Sequence, residues 1–161
     1  MTERSTAITG TAGEHFVASR LATMGYVVAL TRGGSPSIDL LIATADGSRT
    51  AILQVKTSSS ALRGRNPTNT FWEWPVGWGA ADLEADRLWY AFVDLRSWPD
   101  EKDYPEVYLV PSGEVAAQIQ YERKHKWSRS FFRLGTPEGK EYSNRDLYRE
   151  QRAKFGEAIK R

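Results

Sequence analysis

Ser37-Ile38-Asp39-Leu40-Leu41-Ile42-Ala43, then Thr44-Ala45-Asp46-Gly47-Ser48-Arg49, then Thr50-Ala51-Ile52-Leu53-Gln54-Val55-Lys56 follow one another without a break. Two apolar, β-branched runs flank an Asp-Gly dipeptide, which predicts a hairpin. A turn centred on Asp46-Gly47 sets Asp39 directly opposite Gln54. Side chains alternate along a strand, so Lys56 points to the same side as Gln54, one step further on. One face then carries a carboxylate, an amide and an ammonium, while Ile38, Leu40, Ile42, Leu53 and Val55 fill the other. A hairpin with one solvated face is the plain alternative. Leu41 and Ile52 share the polar trio's face, however, so that face is half apolar, and a functional site accounts for it better.

Upstream, Thr11 to Met24 reads as a helix closed by Gly25. At helical spacing Val17, Leu21 and Met24 define its buried stripe, with Ala18 at the edge. Glu14 precedes Val17, Ala18 and Leu21 by three, four and seven positions and shares their face. Two readings of Glu14 stand side by side. Thr11-x-x-Glu14 forms a capping box, in which the carboxylate satisfies a backbone N–H; otherwise Glu14 belongs with the polar trio. His15 falls beside the stripe and reads as a solvent-facing residue or one that backs the site's ligands, not as a ligand itself.

Asp39 followed by Gln54-Val55-Lys56 resembles the signature of the PD-(D/E)XK, or restriction-endonuclease-like, nuclease superfamily. That signature is an Asp on one strand and Glu-x-Lys on the next. The match is closest to the Gln-x-Lys variant of small bacterial endonuclease-like proteins, with Gln-Val-Lys-Thr at Gln54 to Thr57. Gly13-Glu14, a helix, then Gly25-Tyr26 resembles the arrangement in which a first-helix Glu reaches the site. One departure stands out: Pro36 lies three positions before Asp39 instead of beside it. Motifs carry the resemblance through the first third of the chain, and element order carries the rest.

The resemblance implies an α/β (α+β) fold with an αβββαβ core, a mixed central sheet flanked by helices, and an extra C-terminal helix. It implies a metal-dependent endonuclease hydrolysing phosphodiester bonds in DNA, with Mg²⁺, or Mn²⁺ in its place. Asp39, Gln54, Lys56 and Glu14 are then catalytic. Asp39, Gln54, the Val55 carbonyl and Glu14 are the metal ligands, and Lys56 orients water or stabilises the transition state as a cation. A homodimer on DNA follows from the need to cut two strands.

The remaining elements are expected as follows. Met1 to Thr9 is a frayed lead-in, and Tyr26 to Leu30 is a strand leading into the glycine-containing turn Thr31 to Pro36. Residues 58–79 form a Trp-rich loop insertion after the motif core of 11–57. In it Phe71-Trp72-Glu73-Trp74-Pro75-Val76-Gly77-Trp78 concentrates aromatics, with packing expected for at least two of the three Trp residues. Ala80 to Arg87 reads as a short helix. Leu88 to Leu95 is a strand covered on both faces, and Glu106 to Val110 is another strand. Ser112 caps a helix to about Lys126, and 127–161 is an elaboration ending in a helix from Asn144 to Lys160 with Tyr148, Phe155 and Ile159 inward. Arg32, Ser58, Arg63, Arg65, Lys124, Lys126 and Arg129 are the expected nucleic-acid-binding residues. Lys124, Lys126, Arg129 and Arg133 form the most basic local patch, interleaved with Trp127, Phe131 and Phe132.

Composition bounds these readings. The chain has 161 residues, enough for a single domain with a real core. The absence of Cys excludes thiolate catalysis and Cys-type zinc sites and fits a reducing, cytoplasmic setting. No membrane span or secretory pattern is expected. Net charge is only +2, so nucleic-acid binding must rest on local clusters. A nuclease-like domain that binds nucleic acid or a protein without cutting is the second reading, and a Trp-rich protein-docking module the third.

Overall fold

The structure is a computed structural model that describes residues 5–31, 37–64, 70–96, 98–99, 104–135 and 159. Helix α1 (Thr6–Thr23) is followed by strands β1 (Val27–Leu30), β2 (Leu40–Ala43) and β3 (Thr50–Ser58). Next come β4 (Leu62–Arg63), β5 (Phe71–Pro75) and a 3₁₀ helix at Trp78–Asp82. Strands β6 (Leu88–Asp94) and β7 (Glu106–Pro111), helix α2 (Ser112–Lys124) and β8 (Phe131–Leu134) complete the described elements.

A five-stranded sheet in the order β1-β2-β3-β6-β7 carries the fold, and β4-β5-β8 form a small second sheet. The large sheet is mixed, since β3 pairs with β6 in parallel and all its other pairs are antiparallel. The β2–β3 hairpin holds the predicted register: Leu40 faces Leu53 and Ile42 faces Ala51, one step inward from Asp39 and Gln54. Gly47 takes φ +71 in the connection, and the Asp46 carboxylate accepts from the Thr44 and Ser48 hydroxyls and the Ser48 N–H. That turn chemistry pins the register locally.

Alternation sorts the hairpin into two faces as expected. Leu40, Ile42, Leu53 and Val55 are buried with Val17 and Leu21 of α1, alongside Ala91 and Val93 of β6. Each such side chain removed from water contributes about 1.5–3 kcal/mol. The opposite face of β6 and β7 buries Tyr90, Phe92, Tyr108 and Val110 against Val115 and Ile119 of α2 and against Trp74 and Phe132 of the small sheet. Strand β6 is therefore covered on both sides, which is why its sequence is nearly all apolar.

Several expectations are corrected. Helix α1 starts at Thr6, not Thr11, because Ser5 provides the N-cap, its hydroxyl accepting from the Ile8 N–H at 3.3 Å. Its closure is as predicted, since Gly25 has φ +89 and the Gly25 and Tyr26 N–H groups close onto the Ala22 and Leu21 carbonyls, but Met24, expected in the buried stripe, is exposed at the C-cap. The Trp-rich segment 58–79 is not a loop: it supplies β4 and β5, which join β8 from the other end of the chain. Where a helix was expected at Ala80 to Arg87, the chain makes the 3₁₀ helix Trp78–Asp82 and a turn. Ser112 does not cap α2 with its side chain; its hydroxyl exchanges hydrogen bonds with the Ala85 backbone N–H and carbonyl. The helix from Asn144 lies outside the described residues, except that Ile159 is buried in the α1-side core. Among the described residues, no helix is long and apolar enough to cross a membrane.

Candidate active site

Strand β3 outruns its neighbour. Strand β2 begins at Leu40, so beyond the Leu40–Leu53 pair β3 has no β2 residue beside it. Asp39 takes over at this point. Its N–H donates to the Leu53 carbonyl at 2.9 Å, and its Oδ2 accepts from the Val55 N–H at 2.6 Å. In an extended strand a residue's N–H and C=O point to the same edge. The Val55 carbonyl is thus directed to the side where the Asp39 carboxylate sits.

Gln54 and Lys56 stand on the face opposite the α1 packing. Their parallel-ladder partners are Tyr90 and Phe92, both fully buried, and this apolar flank leaves Lys56 half-buried. Burial lowers the Lys56 pKa, while the charges of Asp39 and Glu14 oppose that shift. Glu14 is half-buried on α1, and its pKa is raised by burial first and by the Asp39 charge second, with His15 and Lys56 pulling the other way. These mutual effects place Glu14, Asp39 and Lys56 in one electrostatic neighbourhood. His15 itself is exposed, as expected.

The capping-box reading of Glu14 does not survive, because residue 14 lies well inside α1 and Ser5 is the cap. What brings Glu14 in is Gly13. A Cβ built on Gly13 would fall 1.9 Å from Thr57 Oγ1 and 2.8 Å from Thr57 Cβ. Only glycine lets α1 lie this close to the end of β3, and the neighbouring Glu14 is carried in with it.

Ser58, Arg63 and Arg129, which are distant in sequence, line one cleft of about 600 Å³. Lys124 and Lys126 are exposed at and just after the end of α2 and do not line it. Arg32 and Arg65 lie outside the described residues. Arg133 of the basic patch serves the fold: it pairs with Glu73 at 3.3 Å and with the buried Glu122, and lies over the Trp127 and Phe131 rings. The Trp expectation is met: Trp74 is fully buried with Nε1 donating to the Val93 carbonyl at 2.8 Å, and Trp72 and Trp78 pack partly buried against the same core.

Trp78 and Phe131 lie in the aromatic segments that sequence reasoning had singled out, whereas it missed the cleft's walls at Thr6 and Thr9. Their signal was present in part. Thr6, Thr9 and Gly13 continue, at helical spacing, the stripe that buries Val17 and Leu21.

No family model matches the chain, and no curated protein matches it. A solved structure does: "The structure of a bacterial homing endonuclease: I-Ssp6803I", at 15% identity and a TM-score of 0.53, covering 98% of each chain. At that identity the shared property is the fold, a nuclease-like mixed sheet flanked by helices.

Proposed function

We propose that this chain is a metal-dependent endonuclease that hydrolyses phosphodiester bonds in DNA, a Gln-x-Lys variant of the PD-(D/E)XK type. The observation that carries the reading is the Asp39 carboxylate held against the Val55 N–H at the point where β2 and β3 part, where its charge acts on both Glu14 and Lys56. The likeness in fold to a homing endonuclease supports it.

The donor set fits a hard divalent cation such as Mg²⁺ or Mn²⁺. Asp39 and Glu14 bring carboxylate oxygens, and Gln54 and the Val55 carbonyl bring neutral ones. The Glu14 pKa is raised by burial first and by the Asp39 charge second, and a bound cation would offset both. Such an ion, when bound, neutralises phosphate charge and makes a water more acidic. The protein's own contributions are then distinct. Asp39 is fixed by the Val55 N–H, Glu14 is delivered by the close approach of α1, and Lys56 stabilises charge developing on the phosphate oxygens. Cutting both strands with one such site per chain calls for two copies, so the reading extends to a homodimer on DNA.

A second reading, binding without cutting, is favoured by one feature: Gln54 stands where a third carboxylate would hold the metal more tightly. Among the described residues no group of three or more Asp, Glu or His side chains is placed to hold a metal ion. Cleavage of linear duplex, supercoiled plasmid, single strand, branched junction and RNA, each with Mg²⁺ and Mn²⁺, decides between them. Metal-dependent cutting lost in both Asp39→Asn and Lys56→Ala supports the nuclease. Salt-sensitive binding by all three proteins with no cutting supports the binder.

A further inference from the structure

We propose that the cleft between the N-terminal half of α1, the end of β3 and the small sheet seats the phosphodiester backbone of the DNA strand running on from the site at Asp39 and Lys56. The proposal rests on the nuclease reading for its ligand, but on a separate set of residues.

Three observations carry it. The first is where the hydroxyls lie. The inward stripe of α1 is apolar at Val17 and Leu21 but turns to Thr9 and Thr6 where it borders the cleft. Thr57 and Ser58 of β3 line the same cleft, with Ser128 from the segment before β8, while the buried Ser130 hydroxyl is already given to the Val76 carbonyl. Short hydroxyls converging from three separate segments form the kind of wall that hydrogen-bonds phosphate oxygens without reading bases.

The second is the placement of two guanidinium groups at the same cleft. Arg63 is fixed by Glu73 at 3.1 Å and by the Ser60 and Leu62 carbonyls, so its position is set in advance. Arg129 is exposed and makes no ion pair with a described acid. The third is continuity with the candidate active site. Lys56 and Ser58 are two residues apart on an extended strand, about 6.6 Å, a separation comparable to that of neighbouring phosphates on one strand. Trp78 and Phe131 add aromatic surface on which an unpaired base can stack.

The test is fluorescence anisotropy with short labelled DNA, single-stranded and duplex, in EDTA and at several salt concentrations. Arg129→Ala should weaken binding by about tenfold and lower the salt slope by about one. Arg123→Ala removes an equal charge outside the cleft, where Arg123 pairs with Asp82 at 2.9 Å, and should bind like wild type. Wild-type affinity and slope in Arg129→Ala, or an equal loss in Arg123→Ala, would overturn the proposal. Absence of salt-dependent DNA affinity in the wild type would overturn it together with the DNA reading itself. An Arg129 effect in a protein that cuts nothing with either metal upholds the cleft and sinks the nuclease. Stronger binding of single strands would assign Trp78 and Phe131 to base stacking, within the same cleft.

Discussion

The Asp39 carboxylate accepts a hydrogen bond from the Val55 backbone N–H at 2.6 Å, taking the place of the strand partner that β2 does not supply. A side chain thus completes a ladder and, in the proposed function, also serves the chemistry. The two roles separate by substitution. Asp39→Asn keeps an acceptor for Val55, so its melting temperature should stay near wild type while metal-dependent cleavage is lost. Asp39→Ala should lose cleavage and also about 1–2 kcal/mol of stability, because the Val55 N–H is left unpaired. Thermal melts beside cleavage assays separate the two; an active Asn variant would remove Asp39 from the chemistry.

Replacing Gly13 by Ala should destabilise the protein even though Ala favours a helix by about 1 kcal/mol. The new Cβ would lie 1.9 Å from Thr57 Oγ1, and rotating Thr57 does not help, because its own Cβ would be only 2.8 Å away. Overpacking of this kind costs about 1–3 kcal/mol. Backbone movement that relieves it also withdraws Glu14. Denaturant titration should therefore show a net loss, and an unchanged or raised midpoint would mean that α1 does not pack this closely on β3.

Gln54→Glu adds a carboxylate beside Asp39 and Glu14. Without metal the added like charge should lower the melting temperature. With Mg²⁺ it should tighten binding by about tenfold or more, since a full charge replaces an amide dipole. Calorimetric titration of both proteins is the check. Equal Mg²⁺ affinity would place Gln54 outside the ligand set.

Glu122 gives a pH dependence away from the site. It is buried, accepts from the Phe131 N–H at 3.0 Å and pairs with Arg133, yet burial outweighs both partners and raises its pKa above the usual 4.5. Below 4.5 the group is protonated whether the chain is folded or not. As pH rises, the unfolded chain ionises first, so this group's contribution to stability falls until the folded pKa is passed. Glu122→Gln should therefore gain melting temperature relative to wild type between pH 4.5 and neutrality. A relative loss over that interval would mean that the Arg133 pair outweighs burial.

Much of this protein was legible one residue at a time. The β2–β3 register from Leu40–Leu53 to Ala43–Thr50 followed from a local turn and strict alternation, and it is present, but the pairing stops short of Asp39, whose N–H bonds to the Leu53 carbonyl and whose carboxylate bonds to the Val55 N–H. The two-sided burial of β6 followed from its nearly continuous apolar run, and packing was expected for at least two of the three Trp residues without saying which. The start of α1 did not, because Ser5 and Thr11 are both competent caps. Gly10 and Gly13 weaken the helix between them, and contact with β3 favours the earlier start. The strands within 58–79 were hidden for a different reason: β5 finds β8 across about a third of the chain, and no local pattern encodes such a pairing.

The sequence by itself determined which side chains share a face of the hairpin, since alternation is a property of the backbone. Only the tertiary structure decided that Glu14 joins Asp39 and Lys56, and that Thr6, Ser58, Arg63 and Arg129 line one cleft. Those groupings depend on how separate elements pack. Packing is set by the summed burial of two cores and by one glycine contact, not by any spacing along the chain.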